Sequence, residues 1–445
     1  MFQLHDKTRR RICLAGFCLL CVAPTLGAAA WCAMRHLPWI AQNEAKSLGR
    51  QLGLEVHIAG LKYIQPGLVL YEDFELADPE TNQRLLHCRL LKVQWKTTAD
   101  TQGGKKSTLV LEASQPKIEM AKLQDLGRLL QRAMQGQTSS PGVNLHVTAT
   151  ELTLLAGPNS QTLTGVDGCL NNPTGGVEAI VLFHLAGVET SNPVKIRLVR
   201  DRRTIPPTSG FELDTAGGNL PCDLLAAGLP ELGVLGSRSR FCGYIWATQD
   251  PSEHAVDNWS GEVTGQLLGI DLGQLVSDHF PHKLSGAADV DIKTAKFHHN
   301  RLEAATGTIV GGPGVISRSL LQAAVKHMQF SSGVELELLR DQVPYNRLAL
   351  DLFMDSRGLR IDGRCSSPQS GIVMTNDRLC LLAAPAAQYQ PATALIKTLV
   401  PESTVQVPAT NQTDWLVTHL LMPQAVAPQT REAALPSATV RLRKE

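Results

Sequence analysis

Apolar and polar residues alternate with a period of two through much of this chain. Val143, Leu145, Val147 and Ala149 alternate with polar neighbours, and Val194, Ile196 and Leu198 alternate with Lys195 and Arg197. Successive side chains of a strand point to opposite faces, so these runs predict sheet with one apolar and one polar face. The same pattern recurs in Val290 and Ile292 against Asp289, Asp291 and Lys293, in Val334, Leu336 and Leu338 against Glu335 and Glu337, and in Leu348, Leu350 and Leu352 against Arg347 and Asp351. Gly60, Pro66-Gly67, Ser356-Arg357-Gly358 and Gly363 punctuate the strands as turn or end signals. Residues 177–187, VEAIVLFHLAG, are apolar on both parities. They read either as a strand buried on both faces or as one that lines lipid with Val181, Phe183 and Leu185.

Helical periodicity is rarer. Ala41, Ala45, Leu48 and Leu52 form one stripe, with Glu44, Lys46 and Arg50 turned away. Leu123, Leu126, Leu130 and Ala133 share a second face, and Ile316, Leu320, Ala324 and Met328 a third. Leu272, Leu275 and Val276 predict a short helix, residues 395–400 a last turn or two, and residues 221–236 a short apolar helix or an irregular cap. The expected fold class is mainly β with a few short helices, α+β in detail.

One run departs from both periods. Ile12 to Met34 is uncharged over 23 residues and follows Lys7, Arg9, Arg10 and Arg11. As a helix it would extend about 34 Å, enough for a hydrocarbon core of about 30 Å. The basic flank places the N-terminus in the cytoplasm and sends the rest across. The alternative is a cleavable signal peptide, with Leu26-Gly27-Ala28-Ala29-Ala30 as the cleavage site, although the uncharged run continues past it through Trp31. Either way the bulk of the chain is exported.

Composition narrows the function classes. With 42 basic and 41 acidic residues the chain is near neutral, which gives a nucleic-acid partner no electrostatic support. Six cysteines lie beyond the uncharged run, too few for a disulfide scaffold, with one or two bridges left open in an oxidising compartment. Enzyme signatures are poor: there is no Gly-x-Ser-x-Gly elbow, no His-Glu-x-x-His and no phosphate-binding Gly-x-x-x-x-Gly-Lys loop. Gly311-Gly312-Pro313-Gly314 reads as a structural turn rather than a phosphate cradle, because Pro313 removes an amide donor. His298-His299, with His279 and His282 nearby in sequence, invite a metal reading. Neighbours on a strand point to opposite faces, so a hairpin tip is preferred. The expectation is therefore no enzyme, with no catalytic, cofactor-binding or metal-ligating residue assigned.

The basic start with a single apolar run, the short helix leading into LGLEVHIAGLKYIQPGLVLYEDFELAD, and the later HKLSGAADVDIKTAKFHHNRLEAATGTIVGGPGVISRSLLQAA together resemble bacterial AsmA-like proteins. The matching blocks cover about a third of the chain and are loose patterns of glycine and apolar positions. The resemblance implies a single-pass protein of the bacterial inner membrane. Its bulk would lie in the periplasm as a long, curved antiparallel sheet, a groove or open barrel with an apolar concave face that handles phospholipid or maintains the outer membrane.

On that reading the chain divides into a cytoplasmic stub (1–11), an anchor (12–38), an N-terminal helix-and-sheet region (39–205), an irregular connection (206–258), a C-terminal sheet-and-helix region (259–422) and a disordered tail (423–445). Candidate groove-lining residues are Val143, Leu145, Val147, Val181, Phe183, Leu185, Val290, Ile292, Leu348, Leu350 and Leu352. The partners implied are membrane phospholipid, the inner membrane through residues 12–34 and, as the alternative function, an envelope protein docked on a scaffold that carries no lipid. A third account leaves the same face packed by the helices at 123–134 and 316–328 as an ordinary core.

Overall fold

The structure is a computed structural model that describes residues 6–34, 38–52, 54–78, 83–99, 105–135, 144–156, 159–172, 175–188, 190, 192–226, 230–249, 259–299, 301–365, 371–377 and 379–400. The expected tail, 423–445, lies outside them. The chain is mainly β with a few short helices and forms two compact units, Met1–Asp271 and Leu272–Glu445.

The first unit opens with α1 (Asp6–Phe17), a wide π-type turn (Cys18–Val22) and α2 (Ala23–Met34). Ile12 to Met34 was expected as one spanning helix; among the described residues no helix is long and apolar enough to cross a membrane. Pro24 gives the reason for the division, since it has no N–H to offer a preceding carbonyl, and such breaks are absorbed by a locally widened turn. The residues that join the three segments, Phe17 (φ −63°, ψ −45°) and Ala23 (φ −63°, ψ −46°), keep right-handed helical geometry.

α3 (Pro38–Leu52) follows as the Ala41/Ala45 stripe predicts. Both alanines are buried against the sheet with Ile40 and Leu48 beside them, and their small size lets the helix lie close. Gly49 is required where the helix turns back: a Cβ there would stand 2.7 Å from the Leu54 carbonyl, whose residue's N–H donates to the Gly49 oxygen.

The strands of this unit are β1 (Glu55–Gln65), β2 (Leu68–Ala77), β3 (Arg84–Ala99), β4 (Lys105–Ser114), β5 (Lys117–Glu119), β6 (Asn144–Ala156), β7 (Asn159–Asn171), β8 (Gly176–Leu185), β9 (Val194–Asp201), β10 (Thr208–Asp214), β11 (Leu220–Pro221), β12 (Arg240–Gln249) and β13 (Trp259–Asp271). Most neighbours are antiparallel, as expected. The departure is β6, which runs parallel to β4 and β5, so the sheet is mixed. Parallel neighbours need a crossover, and α4 (Leu123–Gln135) supplies it. β4 and β5 are one strand interrupted at Gln115 (φ 51°) and Pro116, which lacks a ladder donor; both pieces pair with β3. Arg202 donates to the Met134 carbonyl at 2.8 Å, placing a cation at the C-terminal end of α4.

The stretch expected as an irregular connection, 206–258, carries β10, β11 and β12, which continue the ladder from β9. Within it, residues 222–225 form the short helix α5, followed by a 3-10 turn at Pro230–Leu235. Phe241, Leu213 and Leu220 are nearly inaccessible in the core beneath.

The second unit contains β14 (Ala287–His298), β15 (Arg301–Gly311), β16 (Gly314–Ser317), α6 (Arg318–Met328), β17 (Gln342–Tyr345), β18 (Arg347–Asp355), β19 (Gly358–Gly363), β20 (Ile372–Asn376), β21 (Leu379–Ala383) and α7 (Ala392–Leu399). β14, β15, β18 and β19 pair in that order, β20 and β21 extend from β18, and β16 and β17 form a separate ribbon. α6 begins later than its periodicity suggests, because Ser317 caps it by accepting from the Leu320 N–H. Residues 334–338, expected as a strand, make a 3-10 turn at Leu336–Leu338 with Leu338 exposed. Among the described residues the Val-Glu-Leu-Glu-Leu alternation there has no partner strand to pair with.

Tyr345 is buried and donates to the Ser285 carbonyl at 2.6 Å, while burial pushes its hydroxyl up to about 12. Gly314 lies against this pair: a Cβ there would collide with the Ser285 oxygen and stand 2.7 Å from the Tyr345 hydroxyl. Gly314→Ala should therefore destabilise the second unit by about 3 kcal/mol, the upper range of overpacking costs. Urea titration compared with Gly312→Ala, whose Cβ would meet nothing closer than 4.0 Å, checks this.

Candidate functional site

In the first unit the ladders align apolar side chains into continuous rows that run across the strands. One row links Tyr63, Val69, Val93, Leu111, Val147, Gly168, Val181, Ile196, Leu213, Ile245 and Val263 through successive paired positions. A second links Trp95, Leu109, Leu145, Leu170, Ala179, Leu198, Phe211 and Ala247. Paired residues share a face, so both rows lie on the same side of the sheet.

The opposite face is polar. Lys92 pairs with Glu112 at 2.8 Å, His146 with Asp167 at 2.8 Å, and Arg197 with Glu178 at 2.7 Å and Glu212 at 3.4 Å. The hydrogen bond to Glu178 is the main reason that the Arg197 guanidinium binds its proton more tightly than usual. Exposed ion pairs of this kind contribute about 0–1 kcal/mol each, so they mark the wetted side rather than hold the sheet together.

Helices cover the apolar face at intervals. α3 packs on Val56, Ile58, Leu61, Tyr71, Phe74, Cys88 and Leu91. Met134 and Leu130 of α4 pack on Val177, Ala179, Leu170 and Leu198. Between these covers Leu145 and Val147 are half-buried and belong to neither cluster.

The candidate lining residues therefore separate. Val143 lies outside the described residues. Leu145, Val147, Val290 and Ile292 are half-buried and outside the packed clusters. Val181 is half-buried against the second cluster, Phe183 and Leu185 are buried within it, and residues 177–185 bury Val177, Ala179, Phe183 and Leu185 on one parity only. Leu348 and Leu350 sit in the core of the second unit in one cluster with Leu320, Leu321 and Ala324, with Leu352 packed against it. Sequence reasoning did not assign Leu109, Leu111, Leu170 or Leu198 to the rows. Their membership depends on which strands are neighbours, above all the parallel β4–β6 pairing, and local alternation does not carry that information.

The other sequence candidates resolve structurally. The Gly311–Gly314 turn connects β15 to β16, and the Gly312 N–H is spent on the Ala287 carbonyl at 3.0 Å. His298 and His299 stack with ring centroids 3.9 Å apart instead of facing opposite ways, because His299 leaves the strand at φ 50°. Among the described residues no group of three or more His, Cys, Asp or Glu is placed to hold a metal ion. The eight described cysteines are free thiols, and burial pushes the Cys88, Cys222 and Cys365 thiols up, which makes them unreactive. An open cleft of about 1110 Å³ lies between α3 and β1. It is lined by Lys46, Arg50 and His57 together with Glu55, Asp73 and Glu75, a mixture of signs that favours no single ligand charge. No family model matches the chain, and no curated protein matches it.

His282 is buried, with Nδ1 2.9 Å from the Ser319 hydroxyl; burial lowers its pKa and outweighs the opposing Thr398 backbone contact. The folded unit thus keeps this imidazole neutral, while the unfolded chain protonates it near 6.5. Stability is full above that pH and is lost as pH falls toward the lowered folded value. Urea midpoints of the wild type should drop more between pH 7.5 and 5 than those of His282→Phe.

Proposed function

We propose that this protein is a membrane-anchored, non-enzymatic lipid-handling protein of the bacterial envelope, related to the AsmA-like proteins it resembles, and that the apolar rows of its sheet hold phospholipid acyl chains. The observation that carries the reading is the pair of rows crossing the first unit, with Leu145 and Val147 left between the helices that cover the rest. Apolar surface in water is unfavourable by about 25 cal/mol per Å², so a half-covered row is a standing site for an apolar ligand. A phospholipid meets the requirement because its chains can lie on the rows while its headgroup stays wet. Holding a chain this way needs no nucleophile, acid or base.

The anchor in this proposal is the helical path from Asp6 to Met34. Leu14, Phe17, Leu19, Leu20 and Leu26 are exposed along it, which suits a hydrocarbon surrounding. A wide turn inside a membrane helix is tolerated when local hydrogen bonds are re-made, and Ala23 N–H bonds to the Cys18 carbonyl across it. The bulk of the chain then lies in the periplasm, as the basic N-terminal flank directs.

The full chain, extracted in mild detergent and exchanged repeatedly, should retain phospholipid detectable by mass spectrometry after solvent extraction. Val147→Asp combined with Leu145→Asp should lower the retained amount about tenfold, since a carboxylate on the row costs well over 1.4 kcal/mol of acyl-chain contact. An unchanged circular dichroism melting curve verifies that the variant folds. Retention equal to wild type, or no lipid in the wild type, refutes the reading.

A further inference from the structure

Large apolar side chains are exposed at one end of the first unit, and the register shows that two of them, Tyr63 and Trp95, share a face, with Ile64 next to Tyr63 in the chain. Trp39 is 52% exposed, Tyr63 38%, Ile64 58% and Trp95 53%. Tyr63 pairs with Val69 and Val69 with Val93, so Trp95, two residues on, lies on the same face at the β1–β2 turn. Its N–H donates to the Gly67 carbonyl of that turn at 3.1 Å. Trp39 reaches the same end because of the direction of α3. The C-terminal end of the helix is tied to Leu54, and Glu44 accepts from the Tyr71 hydroxyl at 3.4 Å beside Leu61, so the N-terminal residues of α3 point onward toward Tyr63.

Chemistry and connectivity select the occupant. Tryptophan and tyrosine, with apolar bodies and polar tips, concentrate at the headgroup level of bilayers. Lys96 is exposed beside Trp95, which favours an anionic surface by about 1 kcal/mol. Met34, where the apolar helical path ends, is four residues from Pro38 and so within about 14 Å of it. The exposed aromatic end is therefore the one tethered nearest to the apolar segment.

We propose that this end, with Trp39, Tyr63, Ile64 and Trp95, is seated in the headgroup region of an anionic phospholipid bilayer. The inference rests on the retained-anchor reading above and adds an orientation to it: the β1–β2 turn faces the membrane and the apolar rows begin at the lipid surface.

The test uses the full chain reconstituted in phosphatidylethanolamine/phosphatidylglycerol vesicles, with and without lipids brominated near the headgroup end of the acyl chain. Bromine quenches tryptophans that touch the bilayer. Trp95→Phe should lower the quenched fraction of total emission, because a quenchable residue is lost. Trp246→Phe should raise it, because Trp246 pairs with Glu212 and Glu262 on the polar face away from lipid. A rise in the quenched fraction of Trp95→Phe overturns the proposal. So does a Trp95 that escapes bromine yet is shielded from iodide, which would assign this end to a protein partner. Flotation separates the two readings. A chain that fails to float with the vesicles sinks both, and one that floats with Trp95 unquenched sinks only the seating.

Discussion

Each strand of the first unit contributes to an apolar face only because its hydrogen-bond register is held on both sides, since a slip of one position would turn every side chain of that strand over. The rows from Val69 to Val263 cross ten strands without reversing, and the helices that pack on them depend on this. Where spacing within a strand would have broken a row, the backbone corrects it. Leu163 and Val166 are three apart and would ordinarily face opposite ways, yet both pack on the second cluster. Gly165 lies between them at φ 60°, where the β7–β8 register shifts. That is the work of a bulge: one extra residue re-aims the next side chain. Tyr71 and Phe74 are likewise both buried on either side of Asp73, at φ 47°.

The covering helices follow from the same constraint. A row of leucines and valines in water is costly, and α3 and α4 each bury part of it with side chains matched to the space. α3 uses Ala41 and Ala45, and α4 uses Leu130 and Met134. In the second unit Leu320, Leu321 and Ala324 of α6 belong to one buried cluster with Leu348 and Leu350, and Leu321 is inaccessible. The ordinary-core account thus describes Leu348 and Leu350 well, whereas Val290 and Ile292, on the same sheet, lie half-buried beyond that cluster.

Local pattern made the strands and the helix stripes legible, because periods of 2 and 3.6 are written in consecutive residues. Ala41 and Ala45 and the Val290/Ile292 and Leu348/Leu350/Leu352 alternations could be read directly. What escaped was set by distant partners. The strands of 206–258 are broken by Pro206, Pro207 and Gly210 and resemble a linker until β9 and β12 are seen to flank β10. The alternation at 334–338 resembles a strand but has no neighbouring strand among the described residues. The parallel β4–β6 contact, which joins the rows of the two halves of the first sheet, requires a crossover that no local motif announces.

The composition of the rows bears on how such a surface would discriminate among ligands. Eleven strands at about 4.8 Å spacing extend the first row over roughly 48 Å of sheet. From Val93 to Ile245 the first row presents only aliphatic side chains and one glycine, Gly168, with no hydrogen-bonding side chain to fix a ligand at one place. Specificity between ligands comes chiefly from polar groups that one ligand satisfies and another leaves unpaired, while an extra methylene changes affinity only modestly. On the proposed reading, only the stretch left between the covering helices, around Leu145 and Val147, would meet an acyl chain, because Leu213 and Ile245 are closed off in the core, and that stretch would tolerate differences in chain length. Selection among lipids, if it occurs on this protein, must therefore be made by groups that meet the headgroup, beyond the margins of the rows.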